Sequence, residues 1–228
     1  MRIEIFNSTL ALMQQGWYIS KDGNKIMFPE VEKVMDAAHM YCAPFTVEKS
    51  VGNKTEIIVE NKDCVLAAME LVDKGYNPAM LNLADLHMPG GLVEYGSGAQ
   101  EENLCRRSNL VQSLYQFSET RIRQYPAMGL EVNENQYPLD ERYGGIYSGI
   151  VTFFRGAESQ GSMHLDIPYN IPVISVAALS KPRIEANGEM AQAETDITLD
   201  KIRTIFRIGI DNGHDSLVLS ALGCGAFS

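Results

Sequence analysis

Positive charge is scarce in this chain of 228 residues: 19 Lys and Arg stand against 29 Asp and Glu, a formal net charge of −10 at pH 7. The basic residues form no long cluster, which argues against a partner held by its phosphate backbone, so no direct binding of duplex nucleic acid is expected. Histidine and cysteine are equally sparse, four of each. Cys42, Cys64, Cys105 and Cys224 are scattered with no CxxC spacing, which excludes the usual zinc motifs and a disulfide scaffold and makes a reducing cytoplasm the expected compartment. No run approaches the roughly 20 apolar residues of a membrane span, and the first residues have no apolar core or small-residue cleavage site of a signal peptide. Internal repeats and low-complexity segments are absent as well.

What is present is ordinary globular material, 45% hydrophobic and 21% charged, of a length that suits one or two domains. Apolar spacing predicts an amphipathic helix over 3–17 and a second over 29–41, separated by a turn at 21–24. From residue 55 the pattern becomes regular. Glu56 to Glu60 reads as a strand, Val65 to Lys74 as a helix capped from 61–63 and stopped at Gly75, and Pro78 to Ala84 as a second strand. A helix over 101–117 follows, then a long polar excursion over 118–145. Strands over 146–155 and 171–178, a helix over 196–212 and a strand over 216–222 complete the alternation. The expected fold class is α/β with a parallel or mixed sheet. Residues 1–54 read as an N-terminal helical extension packed on the core, and 55–228 as the main domain.

The stretch 87–108, HMPGGLVEYGSGAQEENLCRRS, is the centre of interest. Pro89-Gly90-Gly91 allows a sharp turn and close backbone approach to a ligand, and Gln100-Glu101-Glu102 opens a helix just beyond. A glycine loop leading into a helix start suits an anion, whereas two adjacent carboxylates beside it suit acid–base chemistry on something attached to that anion. A second glycine loop, Gly223-Cys224-Gly225-Ala226-Phe227, leaves the last strand and is expected at the same sheet edge. After such a strand an α/β unit normally returns with a helix, so the C-terminal helix is expected to be missing.

On these residues Leu81 to Ser108 resembles the bacterial-type poly(ADP-ribose) glycohydrolase family, a branch of the macrodomain fold. Its signature is three glycines, a spacer and Gln-Glu-Glu; here Gly90-Gly91-Leu92 is followed by seven residues and then Gln100-Glu101-Glu102. Cys105-Arg106-Arg107-Ser108 and the terminal GCGAF are similar to the family too, and the likeness runs over roughly residues 55–228. The resemblance implies a macrodomain-like mixed sheet flanked by helices. It also implies a hydrolase cleaving O-glycosidic bonds of poly(ADP-ribose) or of ADP-ribosylated targets, without metal or cofactor. Carried over position by position, Glu102 is the acid/base and Glu101 orients the ribose. Gly90, Gly91 and Gly223 to Ala226 (with Cys224 and Gly225 between) hold the diphosphate. Phe227 and Asn82 lie near the distal ribose, Gln100 belongs to the signature lining the ligand, and Asp63 contacts the adenine.

The residues themselves leave alternatives open. Glu102 could pair with Arg106 one turn on, Asp63 could simply cap its helix, and Arg106 and Arg107 could be solvated. Leu92 replaces the third glycine, and at positive φ a leucine would cost about 1–2 kcal/mol. A non-catalytic reader of ADP-ribose is the alternative function. A dinucleotide-binding domain is weaker, because Pro89-Gly90-Gly91 does not continue as GxGxxG.

Overall fold

In the computed structural model, residues 1–48 and 54–224 are described. The chain opens with α1 (Arg2–Gln15), which ends at Gly16 in the left-handed conformation. A hairpin follows, β1 (Trp17–Ile19) with β2 (Lys25–Met27), its turn the predicted 21–24. Next come α2 (Val31–Asp36) and β3 (Ala38–Tyr41). The regular half then supplies α3 (Cys64–Asp73), β4 (Pro78–Leu83), α4 (Gln100–Arg107), α5 (Leu110–Tyr115) and α6 (Glu119–Gln124). After these stand β5 (Gly145–Ser148), β6 (Thr152–Arg155), β7 (His164–Asn170), β8 (Val173–Val176), α7 (Gln192–Asp211) and β9 (Ser216–Val218).

Five strands form the central sheet in the order β3-β5-β8-β4-β9. The β3–β5 and β5–β8 pairs are antiparallel, while β8–β4 and β4–β9 are parallel. The sheet is mixed, and the parallel strands β8, β4 and β9 deliver their C-terminal ends to one edge. Strand β4 is buried on both faces. Met80, Asn82 and Ala84 alternate with Ala79 and Leu81 by the period-two rule. Met80 and Ala84 join the large core with Phe6, Leu10, Val65, Leu104 and Leu114 of α1, α3, α4 and α5. Ala79 and Leu81 pack with Ile174, Val176, Ile205 and Ile208, where α7 covers the other face.

Several expectations are corrected by this architecture. Among the described residues the run Glu56 to Glu60 pairs with no strand: Ile57, Ile58 and Val59 are 85%, 69% and 92% exposed. Branched side chains favour extended backbone, but a strand exists only where a partner supplies the ladder. The helix predicted over 29–41 ends at Asp36, because Ala38 to Tyr41 register against β5. The expected 101–117 helix breaks at Ser108, whose extended backbone bridges Phe153 while Asn109 N–H donates to Thr152 O at 3.3 Å. The 146–155 strand divides at Gly149 between the central sheet and a two-stranded β6–β7 sheet. Strand β7 lies where the sequence pattern predicts no element. Residues 1–54 are also not a purely helical extension, since they contribute the hairpin and β3, an edge strand of the central sheet, across the expected boundary at 54.

Candidate active site

The two carboxylates of the signature sit at the start of α4, below the C-terminal end of β4, and both are buried, Glu101 3% and Glu102 6% exposed. Gln100 fixes that placement. Its amide accepts from Leu83 N–H at 2.6 Å and donates to Leu81 O at 2.8 Å, so it joins the backbone of β4 as an added strand residue would. Both ends of the Gln100 amide are thus engaged in positioning α4.

Glu101 accepts from Asp85 N–H at 2.8 Å through Oε2, and from Asn82 Nδ2 and Gly90 N–H, each at 3.2 Å, through Oε1. Burial pushes its carboxyl up to about 8, helped by the charge of Glu102 and opposed by the three donors. Glu102 accepts from Leu92 N–H at 3.0 Å through Oε1, and its Oε2 is buried with no hydrogen-bond partner among the described residues. Asn82, fully buried, also donates to Ser175 Oγ at 3.0 Å across the β4–β8 register, and its Oδ1 has no partner among the described residues.

The glycine pair meets the carboxylates directly. Gly90 and Gly91 both have positive φ, 74° and 53°. A Cβ at 91 would stand 2.5 Å from Glu102 Oε1 and 3.3 Å from Glu101 Oε2, so only glycine fits between them. In this structure the Gly90 and Leu92 amides are spent on Glu101 and Glu102, and Gly91 N–H on Met88 O at 3.0 Å. Leu92 itself has φ −103°, so the strain expected of a leucine at the third glycine position does not arise.

The bland alternatives divide. The Glu102–Arg106 pair does not form: Arg106, 2% exposed, donates to Ser97 O at 2.7 Å and lies 3.7 Å from Glu158. Asp63 does cap α3, accepting from Leu66 N–H at 3.1 Å, and pairs with the buried Arg107 at 2.8 Å. Gly223, with φ 83°, and Cys224 follow β9 at the same sheet edge as the Gly90 loop. Gly225, Ala226 and Phe227 lie outside the described residues. Arg121, which no local pattern marks, reaches the carbonyls of Pro89 and Gly91 from the predicted polar excursion and lies over Tyr115, a residue of the apolar stripe expected on the 101–117 helix. Among the described residues no three His, Cys, Asp or Glu side chains gather to hold a metal ion. Among the described residues no helix is long and apolar enough to cross a membrane.

A mixed sheet flanked by helices, with paired buried carboxylates and a glycine turn beyond the end of one parallel strand, is a macrodomain-like architecture. The catalytic domain of the microbial-type poly(ADP-ribose) glycohydrolases (microbial-type PARG) matches residues 7–156. The chain belongs to this family. Among solved structures it is similar to the poly(ADP-ribose) glycohydrolase of Thermomonospora curvata, with TM-score 0.77 and 24% identity over 99% of this chain and 81% of that one. The same enzyme bound to the inhibitor ADP-HPD gives TM-score 0.76 and 24% identity over 100% and 81%. The Deinococcus radiodurans enzyme in complex with ADP-ribose gives 0.60 and 22% over 89% and 80%. No curated protein matches the chain.

Proposed function

We propose that Glu102 is the acid/base of this hydrolase and that Glu101 orients the ribose beside it. The observation that carries this reading is the unpaired Glu102 Oε2, held at the strand end by a carboxylate whose other oxygen is fixed by Leu92 N–H. In its protonated form that oxygen gives its proton to the leaving oxygen as the bond to the ribose anomeric carbon breaks. The sugar passes through an oxocarbenium-like state, and the resulting carboxylate then takes a proton from the water that attacks the same carbon. Glu101, kept protonated by burial, can donate to or accept from a ribose hydroxyl without placing a second full charge beside Glu102.

The ligand is ADP-ribose, free or as the terminal unit of a polymer or of a modified target. Gly223 to Ala226 hold its diphosphate, Asn82 and Phe227 border its distal ribose, and Asp63 borders the adenine end. The backbone amides of Gly90 and Gly91 reach the diphosphate only if the loop exchanges its present bonds with Glu101 and Met88. The net charge of −10 supports a target other than bare duplex DNA, and four free cysteines support a reducing cytoplasm. The alternative of a non-catalytic reader rested partly on strain at Leu92, and its φ of −103° removes that support.

The deciding experiment incubates poly(ADP-ribose), and separately a mono-ADP-ribosylated protein, with the wild type and Glu102→Gln and measures released ADP-ribose. Loss of about 10²-fold or more in the variant, with ADP-ribose affinity kept within a few-fold, is expected for removal of a general acid. Release retained in Glu102→Gln overturns the assignment.

A further inference from the structure

Arg121 lies on α6, within the segment that reads from sequence as a polar excursion, yet it is only 3% exposed. Its guanidinium donates from Nη2 to Gly91 O at 2.8 Å and from Nε to Pro89 O at 3.3 Å. Nη1 pairs with Glu94 and donates to Gln124 Oε1 at 3.0 Å. The group lies 5.2 Å over the ring of Tyr115, the side chain that a Cβ at Gly90 would meet at 3.2 Å.

The two carbonyls are not arbitrary ones. In a trans peptide unit the C=O and the N–H point in opposite directions. Pro89 C=O shares its unit with Gly90 N–H, which donates to Glu101; Gly91 C=O shares its unit with Leu92 N–H, which donates to Glu102. One buried guanidinium therefore grips the carbonyl end of both peptide units whose amide ends hold the two carboxylates.

Glycines at positive φ leave such units free to rotate, and a rotated 91–92 unit would turn its carbonyl oxygen on the Glu102 carboxylate. From these contacts we infer that Arg121 is a positioning residue of the hydrolase: it fixes the orientation of the 89–90 and 91–92 peptide units and thereby aims the Glu101–Glu102 pair. The inference rests on the roles proposed for Glu101 and Glu102. A cation at the carbonyl end also polarises each unit and strengthens its N–H as a donor.

The experiment compares the wild type, Arg121→Lys and Glu94→Gln. A lysine keeps a cation beside Glu94 but lacks the planar fork that reaches two carbonyls. Three quantities are read: kcat and KM on poly(ADP-ribose), thermal midpoint, and the amide proton resonances of Gly90 and Leu92. For Arg121→Lys, kcat falls about tenfold or more while KM stays within about threefold, and both amide resonances move upfield as their bonds weaken. For Glu94→Gln, which loses the ion pair but leaves the carbonyl bonds, kcat stays within about threefold. The inference is overturned if the two variants lose kcat and thermal stability in parallel, or if the Gly90 and Leu92 resonances do not move in Arg121→Lys. If the wild type releases no ADP-ribose, the hydrolase reading fails by itself, and the amide resonances alone decide the role of Arg121.

Discussion

Glu101 carries three donors yet sits in so little solvent that burial dominates, and this has a consequence for stability against pH. In the unfolded chain its carboxyl ionises near the ordinary 4.5; in the fold it keeps its proton to about 8. Between those values the native state binds more protons than the unfolded state, so the contribution of Glu101 to stability falls as pH rises from 4.5 to about 8 and levels off above that. Urea unfolding of Glu101→Gln at a series of pH values is expected to show a shallower decline across this window than the wild type. An unchanged slope would mean that Glu101 is ionised in the native protein. The neighbouring glycine has no such latitude: Gly91 combines φ 53° with the near contact to Glu102 Oε1, so backbone and side-chain geometry demand the same residue there.

Between elements, the Asp63–Arg107 pair ties the start of α3 to the end of α4. Arg107 is 1% exposed, and its Nη1 also donates to Asn103 Oδ1 at 3.2 Å. Asparagine at 63 keeps the cap on Leu66 N–H but removes the charge, whereas alanine removes both. Asp63→Asn is expected to lower stability by about 2 kcal/mol, less than the full price of breaking a buried pair because Asp63 is partly exposed, and Asp63→Ala by about 1 kcal/mol more. Equilibrium denaturation of the two variants checks the order. If adenine also lies against Asp63, both variants weaken ADP-ribose binding as well, which calorimetry separates from the stability change. The junction of α4 and α5 teaches a related lesson. Continuous helical spacing runs from 101 to 117, but Ser108 turns extended so that it and Asn109 can bridge β6. Periodicity within one segment does not record an obligation to another.

For the molecule as a whole, the N-terminal segment 1–54 supports the site through α1 and β3. Phe6, Leu10 and Met13 of α1 share a core with Leu104 and Cys105 of α4, and Thr9 Oγ1 donates to Arg106 O at 2.8 Å. Strand β3 closes one side of the central sheet. A chain beginning at residue 55 is therefore expected to lose the cooperative fold rather than persist as a smaller active domain. Circular dichroism and thermal unfolding of that shortened chain are the check, and a cooperative transition with intact ADP-ribose release would restore a boundary at 54.

Residue chemistry along the chain was sufficient for the alternation of strands and helices, for the glycine pair, and for the two carboxylates at a helix start. These are properties of short segments, set by side-chain period, backbone freedom and capping within a few residues. The Asp63 cap and the buried strand β4 belong to the same class. Tertiary structure alone decided that Ile57 to Val59 find no strand partner among the described residues, that residues 38–41 join the sheet, and that Gln100 is engaged with β4. It alone brought Arg121 from a polar segment to the carbonyls behind the acid pair. Each of these depends on which distant group arrives to satisfy a backbone donor, a backbone acceptor or a buried charge, and that arrival is settled only when the layers of the fold meet.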